Sequence, residues 1–177
     1  NAYPHKNLER LLEAFDAFRR AGHAEWTLAL IGADDYFSHR LRTEAAARGL
    51  DTNVVFRGRV TDDELAAAYD GAAFYVFPSL YEGFGLPPLE AMCRGIAVAS
   101  SNASCLPEIL GNAALYFDPN DGGDIVRTLS AMADDAPMRA TLAERGRKWS
   151  ARYDWKRCAE RTLLAYRDAM TVHDTHP

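Results

Sequence analysis

Two glutamates flank a glycine-containing turn near the middle of the chain. Glu82 stands directly before Gly83 and Gly85, and seven residues separate Glu82 from Glu90. Glycine lets a backbone approach a ligand closely and adopt positive φ angles at little cost. An ionised carboxylate accepts hydrogen bonds from two hydroxyl groups at once. The pattern indicates a site where backbone groups lie against a ligand and carboxylates bind its hydroxyl groups.

The residues after Gly85 predict a helix start that favours an anion. Pro87 and Pro88 suit the first turn of a helix, where their missing amides do no harm. The free amides of such a helix start, together with the helix dipole, attract negative charge. Because these amides lie between the carboxylates of Glu82 and Glu90, the pattern predicts a ligand with an anionic middle and hydroxyl groups at both ends. A nucleotide sugar fits this description.

The elements around this turn alternate between short apolar strands and helices. Strands are predicted at 26–32, 54–56, 73–77, 96–99 and 114–117. Helices are predicted at 7–20, 36–48, 61–69, 87–95, 106–110 and 124–170, the last with breaks near Pro137 and Tyr153. This alternation is typical of a doubly wound α/β fold with a parallel sheet, and the run at 26–32 has the composition of a buried strand. Ligands of such sheets bind beyond the carboxyl ends of the strands, where the turn at 78–90 is expected.

Composition narrows the classes of function. The chain has 177 residues, 48% apolar and 25% charged, with a net charge of −5, which suits a soluble globular domain and argues against broad nucleic-acid binding. Cys93, Cys105 and Cys158 show no CxxC pairing, so neither a disulfide framework nor a zinc site is predicted. From this cysteine pattern we expect reduced cysteines in a cytosolic protein. No apolar run approaches the ~20 residues of a membrane helix.

The stretch at 78–92 (PSLYEGFGLPPLEAM) resembles the donor-site motif of the retaining GT-B glycosyltransferases of the group 1, or family four, type. The similarity extends through 4–7, 55–58 and 106–119 and covers nearly the whole chain. It implies a three-layer α/β/α, Rossmann-like domain spanning 1–177, with C-terminal helices at 121–170. This would be the C-terminal, nucleotide-sugar-binding half of the enzyme. We interpret the chain as part of a longer protein whose N-terminal acceptor domain, and the first strand of this domain, precede Asn1.

The resemblance implies a role for each matching residue. Glu82 would bind hydroxyl groups of the donor sugar, Glu90 would hold the ribose, and Lys6 would contact the diphosphate and neutralise the leaving group. Further donor-binding residues are implied at Gly83, Phe84, Gly85, Leu86, Arg57, Gly58 and Ser79. The family usually carries an arginine five residues before this lysine, and Asn1 stands there instead. Phosphate neutralisation then rests more on Lys6, or another residue supplies the second charge.

The resemblance also implies a reaction and its partners. In a retaining hexosyltransferase of this kind, the acceptor hydroxyl attacks the sugar face that the diphosphate leaves, and neither metal nor cofactor is required. Residues 4–7 resemble mannosyltransferases of bacterial polysaccharide and lipopolysaccharide assembly, which favours GDP-mannose over a UDP-hexose. The acceptor would be a glycan or a lipid-linked sugar, in the cytoplasm or at the inner face of the plasma membrane. We expect the chain alone to bind nucleotide without transferring sugar.

Two other functions fit parts of the pattern. A retaining glycosidase-like hydrolase would use Glu82 and Glu90 as its carboxylate pair, about 5–5.5 Å apart across one sugar bond. The glycine-rich anion site between them favours transfer from a diphosphate instead. A non-catalytic α/β binding domain of flavodoxin-like shape would carry an acidic cluster after its first strand.

The last third of the chain contains a basic stretch with two tryptophans. Arg145, Arg147, Lys148, Arg152, Lys156 and Arg157 accompany Trp149 and Trp155. Such a stretch can form a membrane-surface or nucleic-acid patch. We interpret it as a solvated helix face whose tryptophans pack inward.

Overall fold

Strands and helices alternate along the chain up to its C-terminal third, which is helical. The computed structural model describes residues 2–173, with side chains up to residue 170. The strands are β1 Leu28–Ile31, β2 Val54–Gly58, β3 Tyr75–Phe77, β4 Val98–Ser101 and β5 Ala114–Phe117. The helices are α1 Leu8–Arg20, α2 Tyr36–Ala47, α3 Asp62–Asp70, α4 Leu86–Cys93, α5 Leu106–Leu110, α6 Gly122–Asp134, α7 Ala136–Ser150 and α8 Trp155–His173, and a 3₁₀ turn at Pro4–Lys6 precedes α1.

All strand pairs are parallel, as predicted. β1 pairs with β2, and β3, β4 and β5 form a second group in that order. Within the described residues no hydrogen bonds join β1 to β3, so the strands form two parallel sheets rather than one. Helices pack on both sides, which gives the three layers and the doubly wound α/β arrangement that the alternation predicts.

Two apolar cores separate the layers. The first packs α1, α2 and α6 against residues from all five strands, with Phe18 and Phe117 among its fully buried side chains. The second packs α3, α4 and α5 against β3, β4 and β5. Helix α7 joins the two cores, since Leu142 lies in the first and Trp149 packs against the second.

The prediction that the first strand is fully buried is wrong. The side chains of β1 alternate between half-buried and exposed, and Ile31 and Val55 on β1 and β2 are 37% and 40% exposed. Leu28 and Leu30 pack into the first core, whereas no residue of β1 or β2 belongs to the second. Only one face of this strand pair is therefore covered by helices.

Helix α8 lies apart from both cores. Its described side chains are all exposed, and Trp155 at its start is 81% exposed. The inward packing predicted for the two tryptophans thus holds for Trp149 and fails for Trp155, because no described element packs on α8. Within residues 2–173, no helix is both long and apolar enough to cross a membrane.

Candidate functional site

The carboxyl ends of the strands meet the 3₁₀ turn that precedes α1. The backbone N–H of Leu80 donates to the carbonyl of His5 (2.8 Å), which joins the segment after β3 to this turn. Asn7 is buried, and its side-chain amide donates to the carbonyls of Pro78 (3.1 Å) and Pro119 (2.9 Å). Asn7 adopts a left-handed conformation with φ 58°, which asparagine tolerates better than most residues. This one side chain therefore holds three segments together at the carboxyl ends of the strands.

The two residues with implied catalytic roles form an ion pair. Lys6 Nζ lies 2.5 Å from Glu82 Oε1, and the side chains are 28% and 13% exposed. The ammonium group also lies 5.6 Å from the centre of the Phe77 ring. An ammonium has three N–H donors, so Lys6 can donate to a phosphate oxygen while it remains paired with Glu82.

The turn between the glutamates depends on Gly85. Gly85 has φ +93°, and a Cβ atom built on it would lie 2.8 Å from Leu106 Cδ2, so both conformation and packing require glycine. The positive φ expected for Gly83 is absent: its φ is not positive, and a Cβ there would meet open space. The difference follows from packing, because Gly85 is buried against α5 and Gly83 is exposed.

The turn carries unpaired backbone donors. Helix α4 begins at Leu86 without a side-chain cap, and Pro87 and Pro88 have no amide. In the described part of the chain, the amides of Gly83, Phe84, Gly85 and Leu86 donate to no other group. Gly85 and Leu86 thus lie at the helix start that the sequence pattern predicts, and Gly83 and Phe84 directly precede it. Together with Lys6, which pairs with Glu82, these donors have the chemistry to bind an anion.

The start of α5 supports the turn after Glu82 through two residues to which the sequence analysis assigned no role in the site. The carbonyl oxygen of Glu82 accepts hydrogen bonds from Ser104 Oγ (2.8 Å) and Cys105 Sγ (3.2 Å) at the start of α5. The similarity at 106–119 begins directly after this pair, and it is the signal in the sequence that marks the segment.

The C-terminal end of α5 is hydrogen-bonded to the end of α7 and to the connection between α7 and α8. The carbonyl of Ile109 accepts from Trp149 Nε1 (2.8 Å) and from Tyr153 Oη (2.9 Å). The Tyr153 ring also meets Phe84 edge-on, with ring centres 5.6 Å apart. Tyr153 therefore contacts both the turn and the helix that supports it, and no local sequence signal marks it.

Glu90 lies one turn into α4, as predicted, and faces α3. The hydroxyl of Tyr69 lies 3.4 Å from Glu90 Oε2 and 3.4 Å from the carbonyl oxygen of Pro87. Burial, reinforced by the negative charge of Glu90, raises the pKa of Tyr69 to about 12. A groove of about 210 Å³ opens between the two helices, lined by Asp62, Leu65, Ala66, Tyr69, Glu90 and Arg94. Glu90 is exposed at this groove and can accept hydroxyl donors.

The remaining predicted residues lie at the margins of the site. Arg57 and Gly58 end β2, in the sheet that lacks the Glu82 turn, and no described contact joins them to Lys6, Glu82 or Glu90. Ser79 is only 1% exposed, and its hydroxyl has no partner among the described residues. In residues 2–173 no group of histidine, cysteine, aspartate or glutamate side chains could hold a metal ion.

Comparison with known sequences identifies the family of the chain. Residues 1–149 match the family model described as glycosyl transferases group 1. The chain belongs to the group 1 glycosyltransferases. This glycosyltransferase domain is 34% identical over 165 residues to O-antigen chain mannosyltransferase B of Escherichia coli, covering 93% of the domain and 43% of that protein. The domain thus spans less than half the length of this relative.

Solved structures identify which part of a glycosyltransferase the domain corresponds to. It is 27% identical to the C-terminal domain of the group 1 protein LpcC from Francisella tularensis, with a TM-score of 0.74 over 84% of the domain and 80% of that chain. Anabaena HepE, solved in complex with UDP, shares the fold with a TM-score of 0.83 at 18% identity, over 95% of the domain and 47% of that chain. The predicted C-terminal, Rossmann-like half of a GT-B glycosyltransferase is confirmed.

Proposed function

We propose that this domain binds a nucleoside-diphosphate sugar, with GDP-mannose favoured, as the donor half of a retaining glycosyltransferase that builds a polysaccharide or glycolipid. The observation that carries the proposal is the Lys6–Glu82 ion pair, 2.5 Å apart, beside the unpaired amides of residues 83–86. A cation and several N–H donors suit the diphosphate. The carboxylate beside them suits the hydroxyl groups of the attached sugar.

The proposed roles of Lys6, Glu82 and the turn amides follow from the charges that develop during sugar transfer. When the bond between sugar and diphosphate breaks, negative charge builds on the leaving phosphate and positive charge on the sugar. Lys6 and the amides of the turn would stabilise the phosphate, and groups already oriented in this way often supply the largest part of catalysis. Glu82, the partner of Lys6 in the ion pair, would orient the sugar. We expect these groups to bind the diphosphate directly, without a metal ion or a cofactor.

The donor's nucleotide and sugar are proposed from similarity. The Escherichia coli relative is named as an O-antigen chain mannosyltransferase, which favours mannose. The HepE structure holds UDP, so a UDP-hexose is the alternative donor. Glu90, exposed at the groove between α3 and α4, would bind the ribose, and Arg57 and Gly58 would border the base. An N-terminal Rossmann domain of the same protein would bind the acceptor on the cytoplasmic side of the membrane.

The contacts of the two glutamates disfavour a hydrolase. Glu82 pairs with Lys6 and Glu90 lies beside the Tyr69 hydroxyl, so each carboxylate has a different partner. The unpaired amides between them favour a phosphate over the neutral glycosidic bond of a hydrolase substrate. A non-catalytic domain would need neither the Lys6–Glu82 pair nor the supported turn.

Calorimetric titration of the domain with GDP, UDP and ADP, with and without magnesium, tests the proposal. We expect one diphosphate to bind independently of magnesium. Glu90→Ala should weaken that binding about tenfold or more, since a charge-assisted hydrogen bond contributes about 1.5–3 kcal/mol. Glu108→Ala is the matched control, because it removes an exposed glutamate from α5 outside the turn. Failure of all three nucleotides to bind, or equal weakening by both substitutions, would contradict the donor site.

Transfer is tested separately. The domain with GDP-mannose or a UDP-hexose and a mannose-containing acceptor should give no product, because the acceptor wall of the cleft belongs to the other domain. Transfer by the domain alone would show that it is complete as a catalyst.

A further inference from the structure

A cationic groove lies on α7, and it shares no residue with the Glu82 turn. Arg145, Lys148 and Arg152 follow at positions i, i+3 and i+7, so they lie along one flank of the helix and its C-terminal end. Together with Trp149 and Asn112 they line a groove of about 220 Å³. Arg147 takes no part in it, since its guanidinium points to the carbonyl of Arg94 (3.4 Å).

Part of the groove wall is held in place. The indole N–H of Trp149 donates to the carbonyl of Ile109 (2.8 Å), which anchors the ring to the end of α5. The guanidinium of Arg152 lies 4.0 Å from the centre of that ring, in cation–π geometry. Arg152 is thus ordered by an aromatic face and keeps its N–H donors available.

The charge of the groove is poorly compensated. Lys148 pairs with Glu144 (2.6 Å), but neither Arg145 nor Arg152 forms an ion pair with any described residue. The whole chain has a net charge of −5, so a cluster of three cations does not reflect a general excess of basic residues. Clustered like charges repel, and an anion between them removes this cost.

We propose that the groove formed by Asn112, Arg145, Lys148, Trp149 and Arg152 binds a phosphate group. Guanidinium groups bind phosphate oxygens through paired, parallel hydrogen bonds, and Lys148 adds a compact positive charge. The side-chain amide of Asn112, which also lines the groove, supplies a neutral donor. The phosphate belongs either to an acidic phospholipid headgroup or to a soluble phosphate compound. The proposal does not depend on donor binding at Glu82.

The indole N–H signal of Trp149 in a nuclear magnetic resonance spectrum reports on this groove. One arm titrates the domain with inorganic phosphate and with pyrophosphate. The other measures flotation with phosphatidylcholine vesicles that contain phosphatidylglycerol, against vesicles of phosphatidylcholine alone. The test variant is R145Q/R152Q, and the matched control R20Q/R127Q removes two exposed arginines from α1 and α6. Unchanged signals from Trp26 establish that each variant is folded.

We expect saturable binding in at least one arm, and the arm that binds identifies the source of the phosphate. At low salt R145Q/R152Q should weaken that binding about 25-fold, from about 1 kcal/mol for each cation lost at an anionic surface. R20Q/R127Q should weaken it less than twofold. Absence of binding in both arms would overturn the proposal. So would equal weakening by the two double variants, since that would indicate attraction by overall charge alone.

Discussion

Lys6 and Glu82 are 76 positions apart in the chain, and their side chains meet at 2.5 Å where the 3₁₀ turn lies against the segment after β3. The contact brings a cation to the edge of a turn with four unpaired amides. It also gives the carboxylate a counter-charge, which reduces the repulsion that Glu82 would otherwise exert on a bound phosphate. Under the proposed function, Lys6 would bind the phosphate of a nucleotide sugar and Glu82 its sugar hydroxyl groups.

Substitution of Glu82 and substitution of Lys6 should change the binding of different ligands. Glu82→Gln removes negative charge beside the phosphate site and weakens the contacts to sugar hydroxyls. We expect the nucleoside diphosphate alone to bind as tightly as before or more tightly, and the nucleotide sugar to bind about tenfold more weakly. Lys6→Met should weaken both ligands. Calorimetric titration with the two ligands measures this, and equal weakening of both by Glu82→Gln would contradict the division of roles.

Stability should depend strongly on Gly85 and little on Gly83. Gly85→Ala places a Cβ atom 2.8 Å from Leu106 Cδ2 in a backbone with φ +93°. Left-handed strain and overpacking together should lower the free energy of unfolding by about 3 kcal/mol. Gly83→Ala adds a methyl group in open space and should change it by less than about 0.5 kcal/mol. Urea denaturation compares the two variants, and similar losses would show that packing against α5 does not distinguish them.

Asn7 should matter through both its backbone and its side chain. Asn7→Ala leaves the carbonyls of Pro78 and Pro119 without this donor and places alanine at φ 58°. We expect a loss of about 3 kcal/mol in the free energy of unfolding. Asn7→Gly loses the same hydrogen bonds without the strain, so it should lose about 1 kcal/mol less. Equal loss in both variants would mean that the left-handed backbone contributes no strain.

Buried tyrosines should make the domain sensitive to alkaline pH. Burial raises the pKa of Tyr69 and of Tyr116 to about 12, against about 10 in an unfolded chain. The folded state therefore favours the neutral phenol. Its stabilising contribution is complete below about pH 10 and is lost as pH rises from about 10 through about 12.

Urea denaturation across this range gives the measurement. Tyr69→Phe should flatten part of the fall in the free energy of unfolding, because its ring cannot ionise. Tyr36→Phe, at an exposed position, is the control and should leave the pH dependence unchanged. A wild-type stability that stays constant from about pH 10 to about pH 12 would contradict the prediction.

Local patterns in the sequence were enough for much of the fold. The capping residue Thr61 and its partner Glu64 predict the start of α3, and the structure confirms this reciprocal pair. The turn at Glu82 and the helix after it follow from glycine and proline at fixed positions. Such signals act between residues a few positions apart, so they can be interpreted without the rest of the chain.

Local patterns could not predict whether helices cover both faces of a strand. The apolar run that contains β1 has the composition of a buried strand, yet Ile31 is exposed because helices cover only one face. Gly83 and Gly85 are chemically identical, and the positive φ of Gly85 together with the position of Leu106 makes glycine indispensable only at position 85. These properties depend on which element packs on which face.

The sequence by itself determined the family, the order of the elements and the residues that form the turn after Glu82, because each rests on residue type and short spacing. The tertiary structure decided that Lys6 pairs with Glu82, that Asn7 joins three segments, and that α5 supports the turn through Ser104 and Cys105. These contacts join residues from 22 to 112 positions apart. Such distances in sequence carry no periodic signal, and the partners meet only when the strands and helices pack into layers.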